Sequence, residues 1–102
     1  MPNPPETGPV IERAYLDMKP GGGANYIALW PEFREILMSL PGAVSCELLR
    51  SHAKAESFVC CMQWESKAAK DIFIADPRLK PWAQRFWPNV DHEVVEYYES
   101  VG

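Results

Sequence analysis

From residue 10 to residue 18 the chain alternates, with Val10, Ala14, Leu16 and Met18 on one side of a period of two and Arg13, Tyr15 and Asp17 on the other. That pattern predicts a half-buried strand. Residues 19–23, Lys-Pro-Gly-Gly-Gly, break it, because three glycines cannot continue a strand at reasonable entropic cost. Tyr26, Leu29, Trp30, Phe33, Ile36, Leu37 and Leu40 then recur at spacings of three and four, the stripe of an amphipathic helix. Asn25 offers a cap. Pro31 costs about 3 kcal/mol inside a helix but is tolerated in a first turn, so the regular helix begins near Trp30 or carries a bent first turn from Asn25. Pro41 and Gly42 stop it.

Residues 43–51 and 57–65 both read as strands, joined by a polar loop, His-Ala-Lys-Ala-Glu, that is longer than a tight hairpin turn. Ser66 is an N-cap for a short helix whose apolar face is Ala69, Ile72 and Phe73. Asp76 followed by Pro77 is a second start signal, and Leu79, Trp82, Ala83 and Phe86 fall at helical spacing, with Pro81 expected to bend or divide that helix. Residues 90–99, rich in valine and tyrosine, predict the last strand. The order strand, helix, strand, strand, helix pair, strand suits an α+β fold of the ferredoxin-like, split βαβ kind: a four-stranded antiparallel sheet with helices on one face. The other face, carrying Cys46 or Cys61 with Val95 and Tyr97 according to register, is too apolar to meet water alone. A homodimer packed sheet to sheet is expected, and a monomeric mass at micromolar concentration would contradict it.

Composition narrows the classes of function. The 102 residues make one domain, residues 10–102, behind a proline-rich and flexible lead-in, residues 1–9. Fourteen acidic against ten basic residues give a net charge of -4 and no basic stripe, which argues against a nucleic-acid partner. No segment approaches the roughly 20 apolar residues of a membrane span, and no charged-then-apolar leader opens the chain, so a cytoplasmic protein without a membrane partner is expected. Three cysteines, two of them adjacent, do not make a disulfide framework. Cys60 and Cys61 point to opposite faces of a strand and cannot jointly grip an ion; with no Cys-x-x-Cys and no paired histidines, no metal site is expected.

Three stretches carry a resemblance: LPGAVSCELLRS, FVCCMQWES and AKDIFIADPRLKPW. In this order they resemble the antibiotic biosynthesis monooxygenase family of the dimeric α+β barrel superfamily, over about residues 10–98. The resemblance implies a homodimer, a ligand pocket between sheet and helices, and Trp64 beside that pocket. It also implies cofactor-free oxidation of a quinol- or anthrone-type aromatic, polyketide-derived molecule in secondary metabolism. Cyclases, isomerases and haem-degrading proteins share the superfamily. Haem degradation fits poorly, since those relatives hold iron with a helical histidine and neither His52 nor His92 falls in a predicted helix.

Trp64 shares a strand face with Phe58, Cys60 and Met62, and is either a core filler or a stacking wall whose indole N–H donates to a substrate oxygen. Trp30, Phe33, Phe73, Trp82 and Phe86 come from helices that should face the same cavity, and Tyr98 is a further substrate contact. A cofactor-free oxygenase needs a proton acceptor and a dry cavity that stabilises a substrate anion. His92, in phase with Val90, Val94 and Tyr98, is the candidate base if it points toward the helices; a structural hydrogen bond is the alternative. His52, in the hairpin loop, is a second candidate, and Arg85 is a possible oxyanion holder or merely a shield over Trp82 or Trp87. Two further readings stay open: a non-oxidative cyclase, isomerase or dehydratase, and a non-catalytic small-molecule-binding accessory protein.

Overall fold

The computed structural model describes residues 2–102. Four strands form one antiparallel sheet: β1 (Val10–Met18), β2 (Ala43–Arg50), β3 (Ser57–Trp64) and β4 (Val90–Tyr98), in the order β2-β3-β1-β4. Helices α1 (Gly22–Met38), α2 (Lys67–Ile74) and α3 (Leu79–Phe86) connect them, and a short 3-10 turn, Trp87–Asn89, leads into β4. The ferredoxin-like α+β plan is the one the sequence predicts. Residues 2–9 carry no helix or strand and run beside the end of β4.

Alternation places Ala14 and Leu16 of β1, and Phe58, Cys60, Met62 and Trp64 of β3, under the helices, where all are buried. Ser66 caps α2 as expected, its Oγ accepting the Ala69 N–H at 3.2 Å. Ile72 departs from its expected place in the core and is about half exposed, at 49%. Pro81 neither bends nor divides α3: it is the third residue of the helix, where a missing N–H costs no intrahelical bond.

Two departures have local causes. First, α1 begins at Gly22 rather than at Asn25 or Trp30, and Pro31 lies inside it. The glycines start this helix because the chain passes so close to its neighbours. A Cβ at Gly22 would lie 2.7 Å from the Asn89 carbonyl oxygen, and one at Gly23 would lie 2.7 Å from Glu56 Oε1. Glu56 in turn accepts the Gly23 N–H at 3.2 Å, placing a carboxylate at the positive end of the helix.

Second, β4 changes phase. Met18 pairs with Val90 but Asp17 pairs with His92, leaving Asp91 as the extra residue of a bulge. Val90 therefore shares the helix face with Met18, while His92 shares the open face with Asp17. Glu93, Val95 and Tyr97 lie opposite Leu16, Ala14 and Glu12 and so face the helices. The expected open face is corrected accordingly: it carries Cys61, whereas Cys46, Val95 and Tyr97 face the helices. A row of Leu49, Val59, Tyr15 and Val94 crosses all four strands of that open face.

The cysteines are free; Cys46 and Cys60 are buried as packing, and Cys61 is half-buried on the open face. Burial pushes the Cys46 thiol from 9.0 up to about 12, and burial pushes Cys60 up as well. A raised folded value means that the stabilisation is complete below the unfolded thiol's pKa and is lost as pH rises toward the folded one. Stability is expected to fall above pH about 9, by up to roughly 1.4 kcal/mol per pH unit for each thiol. Urea unfolding of the wild type and Cys46→Ala between neutral and alkaline pH checks this; the variant should show the shallower decline.

Candidate active site

A cavity of about 190 Å³ lies between the helices and β1, β3 and β4. Its walls are aromatic and linked. Trp64 packs on Phe73 (5.8 Å between ring centroids), Phe73 on Phe33 (5.4 Å), Phe33 on Trp82 (4.7 Å) and Trp82 on Phe86 (4.7 Å). Such pairs each contribute about 0.5–1.5 kcal/mol beyond their buried area, so the wall is stiff. Trp82 is further fixed by its indole N–H, which donates to the Leu29 carbonyl at 2.8 Å and ties α3 to α1. Trp64, only 1% exposed, has no such tie: its indole nitrogen is buried without a hydrogen-bond partner.

Among the residues lining this chamber three carry charge: Glu12 on β1, Lys70 on α2 and Glu93 on β4. Glu12 is the one buried charged residue among the described residues, at 7% exposure. Lys70 Nζ stands 3.0 Å from Glu12 Oε1, an ion pair that lacks hydrogen-bond alignment. The same ammonium donates to the Tyr97 hydroxyl and sits over two aromatic faces, 4.7 Å from the centroid of Tyr97 and 5.9 Å from that of Trp64. Burial pulls the Lys70 pKa down, but Tyr97 and Glu12 outweigh it and the value is raised, so the group stays an ammonium at neutral pH. Burial, and then the charge of Glu12, raise the Glu93 carboxyl. Tyr26 and Cys60 also line the cavity, and burial keeps both un-ionised.

Of the residues expected at the site, Trp64, Phe33, Phe73, Trp82 and Phe86 line this one cavity. Trp30 stacks on Phe33 at 5.3 Å but lines a separate shallow recess with Ile27 and Leu48. His92 does not point toward the helices. The bulge at Asp91 turns it to the open face, where it lines a recess with Tyr15 and Leu49. Tyr98 also lies on the open face, its hydroxyl 2.9 Å from that of Tyr15. His52 is exposed in the loop between β2 and β3, and Arg85 is an exposed partner of Glu32 outside the cavity. Glu12, Lys70 and Glu93 are the residues that the sequence reading missed. Glu12 had a visible signal, a carboxylate in phase with Ala14 and Leu16 on the core side of β1. Lys70 had another, standing three residues before Phe73 on the same helical face.

No cluster of three or more His, Cys, Asp or Glu among the described residues is placed to hold a metal, and no helix among them is long and apolar enough to cross a membrane. The family model described as antibiotic biosynthesis monooxygenase matches residues 9–85. No curated protein matches the chain significantly. Among solved structures, SnoaB from Streptomyces nogalater, described as a cofactor-independent oxygenase, is 19% identical with a TM-score of 0.84, the match covering 94% of this chain and 96% of that one. A protein of Caulobacter crescentus CB15 described as a candidate antibiotic biosynthesis monooxygenase is 18% identical with a TM-score of 0.86, covering 95% and 93%. At these identities the likeness establishes the fold.

Proposed function

The chain belongs to the antibiotic biosynthesis monooxygenase family, and from that premise we propose that its aromatic cavity binds a small aromatic substrate and oxidises it with dioxygen, without metal or flavin. The observation that carries this reading is the indole N–H of Trp64, buried in the cavity wall with no partner. A buried donor left unpaired costs about 1–3 kcal/mol, and a substrate or peroxide oxygen would satisfy it. The description of SnoaB as a cofactor-independent oxygenase supports the same reading.

The chemistry needs only groups at hand. Glu93, at the cavity rim, takes a proton from the substrate's hydroxyl or activated methylene, and its raised pKa makes it a stronger base than an ordinary glutamate. The resulting anion gives one electron to dioxygen, and the radical pair joins at carbon to form a peroxide. That peroxide takes back the Glu93 proton, loses the second hydrogen of the methylene as a proton, and breaks its O–O bond. One oxygen remains as a carbonyl and the other leaves as water, so that CH2 and O2 become C=O and H2O. A preorganised, largely apolar cavity favours the anion at each stage.

The same acid–base groups would also serve a non-oxidative isomerisation or cyclisation, and oxygen uptake separates the two. With a dihydroxynaphthalene, enzyme-dependent oxygen consumption above the spontaneous rate is expected; turnover unchanged under strict anaerobiosis sinks the oxygenase reading. Trp64→Phe keeps the wall but removes the donor, and should lower kcat by about 10²-fold. A second copy seated on the row Leu49, Val59, Tyr15 and Val94 completes the assembly, with sedimentation at micromolar concentration expected to give twice the chain mass.

A further inference from the structure

We propose that Lys70 is the anion-binding residue of this cavity: held between Glu12 and Tyr97, its ammonium receives the ionised hydroxyl oxygen of a one- or two-ring phenol or enol lying against Trp64. The inference rests on the reading of the cavity as a site for an ionisable aromatic, and says which residue that oxygen meets.

Charge makes the first argument. Lys70 is the one cation among the described lining residues, and the other charged groups there, Glu12 and Glu93, would repel a substrate anion. A phenolate formed inside an apolar chamber has no other full positive charge to meet. The second argument is valence. An ammonium has three N–H donors, and the structure gives Lys70 two oxygen neighbours, Glu12 Oε1 and the Tyr97 hydroxyl. One donor remains.

Position and size complete the case. The ammonium stands over the Trp64 ring, so a flat ligand against that wall brings its edge substituents toward Nζ. At about 190 Å³ the chamber is smaller than the roughly 300–1,000 Å³ of sites for drug-sized ligands, which favours one or two rings over a larger polycycle. Glu12 and Tyr97 then act as positioning residues that fix the ammonium, since a free lysine chain would sample many rotamers.

The test uses 4-nitrophenol, whose absorbance reports its own ionisation and which needs no turnover. Bound to the wild type, it should ionise at lower pH than in solution. In Lys70→Met its apparent pKa should rise by at least one unit, a loss of about tenfold in preference for phenolate over phenol, while Lys70→Arg keeps most of the shift. The other titratable residues facing the chamber, Glu12, Glu93, Cys60 and Tyr26, are retained in both variants, and Glu12→Gln/Lys70→Met separates the loss of the ammonium from the effect of the carboxylate it leaves behind. If Lys70→Met does not fold, Glu12→Gln/Lys70→Met removes both charges and serves in its place. The proposal is overturned by an unchanged bound titration in the methionine variant, by wild-type preference for the neutral phenol, or by no binding at millimolar probe. None of these outcomes involves dioxygen, so the anchor and the oxygenase reading fail separately.

Discussion

Glu93→Gln is expected to lower kcat by about 10²–10⁴-fold, the usual contribution of a positioned general base, with thermal stability close to that of the wild type. The wild-type rate should fall on the acid side of its pH profile, because a base works as the carboxylate and is lost on protonation. The midpoint of that limb should lie above the ordinary glutamate value of about 4.3, since burial and then the Glu12 charge raise the Glu93 carboxyl. In the glutamine variant the limb should disappear along with most of the rate. His92→Gln is the control: its side chain lies on the opposite face of the sheet, and its rate should stay within about twofold of the wild type. A large loss in His92→Gln with a silent Glu93→Gln would move the base to the open face and end the assignment.

Glu12→Leu should produce the largest loss of stability. Glu12 and Lys70 expose only 10% and 13% of their side chains, so removing the carboxylate leaves an ammonium in an apolar wall with Tyr97 as its remaining oxygen partner. Breaking a buried pair in this way costs about 3–5 kcal/mol, whereas replacing both members by apolar residues is often neutral. Glu12→Leu/Lys70→Met is therefore expected to recover most of the loss. Urea denaturation of the two single variants and the double variant measures the coupling. If the double variant is as unstable as Glu12→Leu alone, the damage comes from altered packing rather than from the stranded charge. A pair that apolar residues could replace without loss is not needed for folding, which makes its place in the cavity wall consistent with a role in binding.

The fold was legible in the sequence because its main signals are local. The alternation of β1 and β3, the stripe of α1 at Tyr26, Phe33, Ile36 and Leu37, and the cap at Ser66 each depend on neighbours within a few residues and formed as expected, whereas the start of α1 at Gly22 depends on close approach to distant residues. The candidate cavity was legible only where it coincides with the core, at Trp64, Phe33, Phe73, Trp82 and Phe86, since those positions follow from the same periodicity. His92 and Tyr98 were misplaced for one reason: a period of two counted from Val90 does not see the residue inserted at Asp91, which exists only in the pairing with β1. Arg85 could not be placed because its partner, Glu32, lies 53 residues away in the chain. Lys70 and Glu12 are a meeting of the same kind, between α2 and β1, and neither residue implies the other in sequence.

β4 forms an edge of the sheet, paired on one side only, whereas Trp64 stands on β3 between two neighbours. The proposed reacting group and the main wall of the vessel thus belong to parts of the protein with different freedom to vary. An insertion or exchange in an edge strand disturbs one ladder of backbone bonds, while the same change in a central strand disturbs two. Descendants of this chain could trade the carboxylate for another group, or shift the parity of β4 and present a histidine, with the aromatic chamber intact. A scaffold divided in this way would let new reactions arise at the margin while the aromatic chamber, and the binding proposed for it, is inherited unchanged.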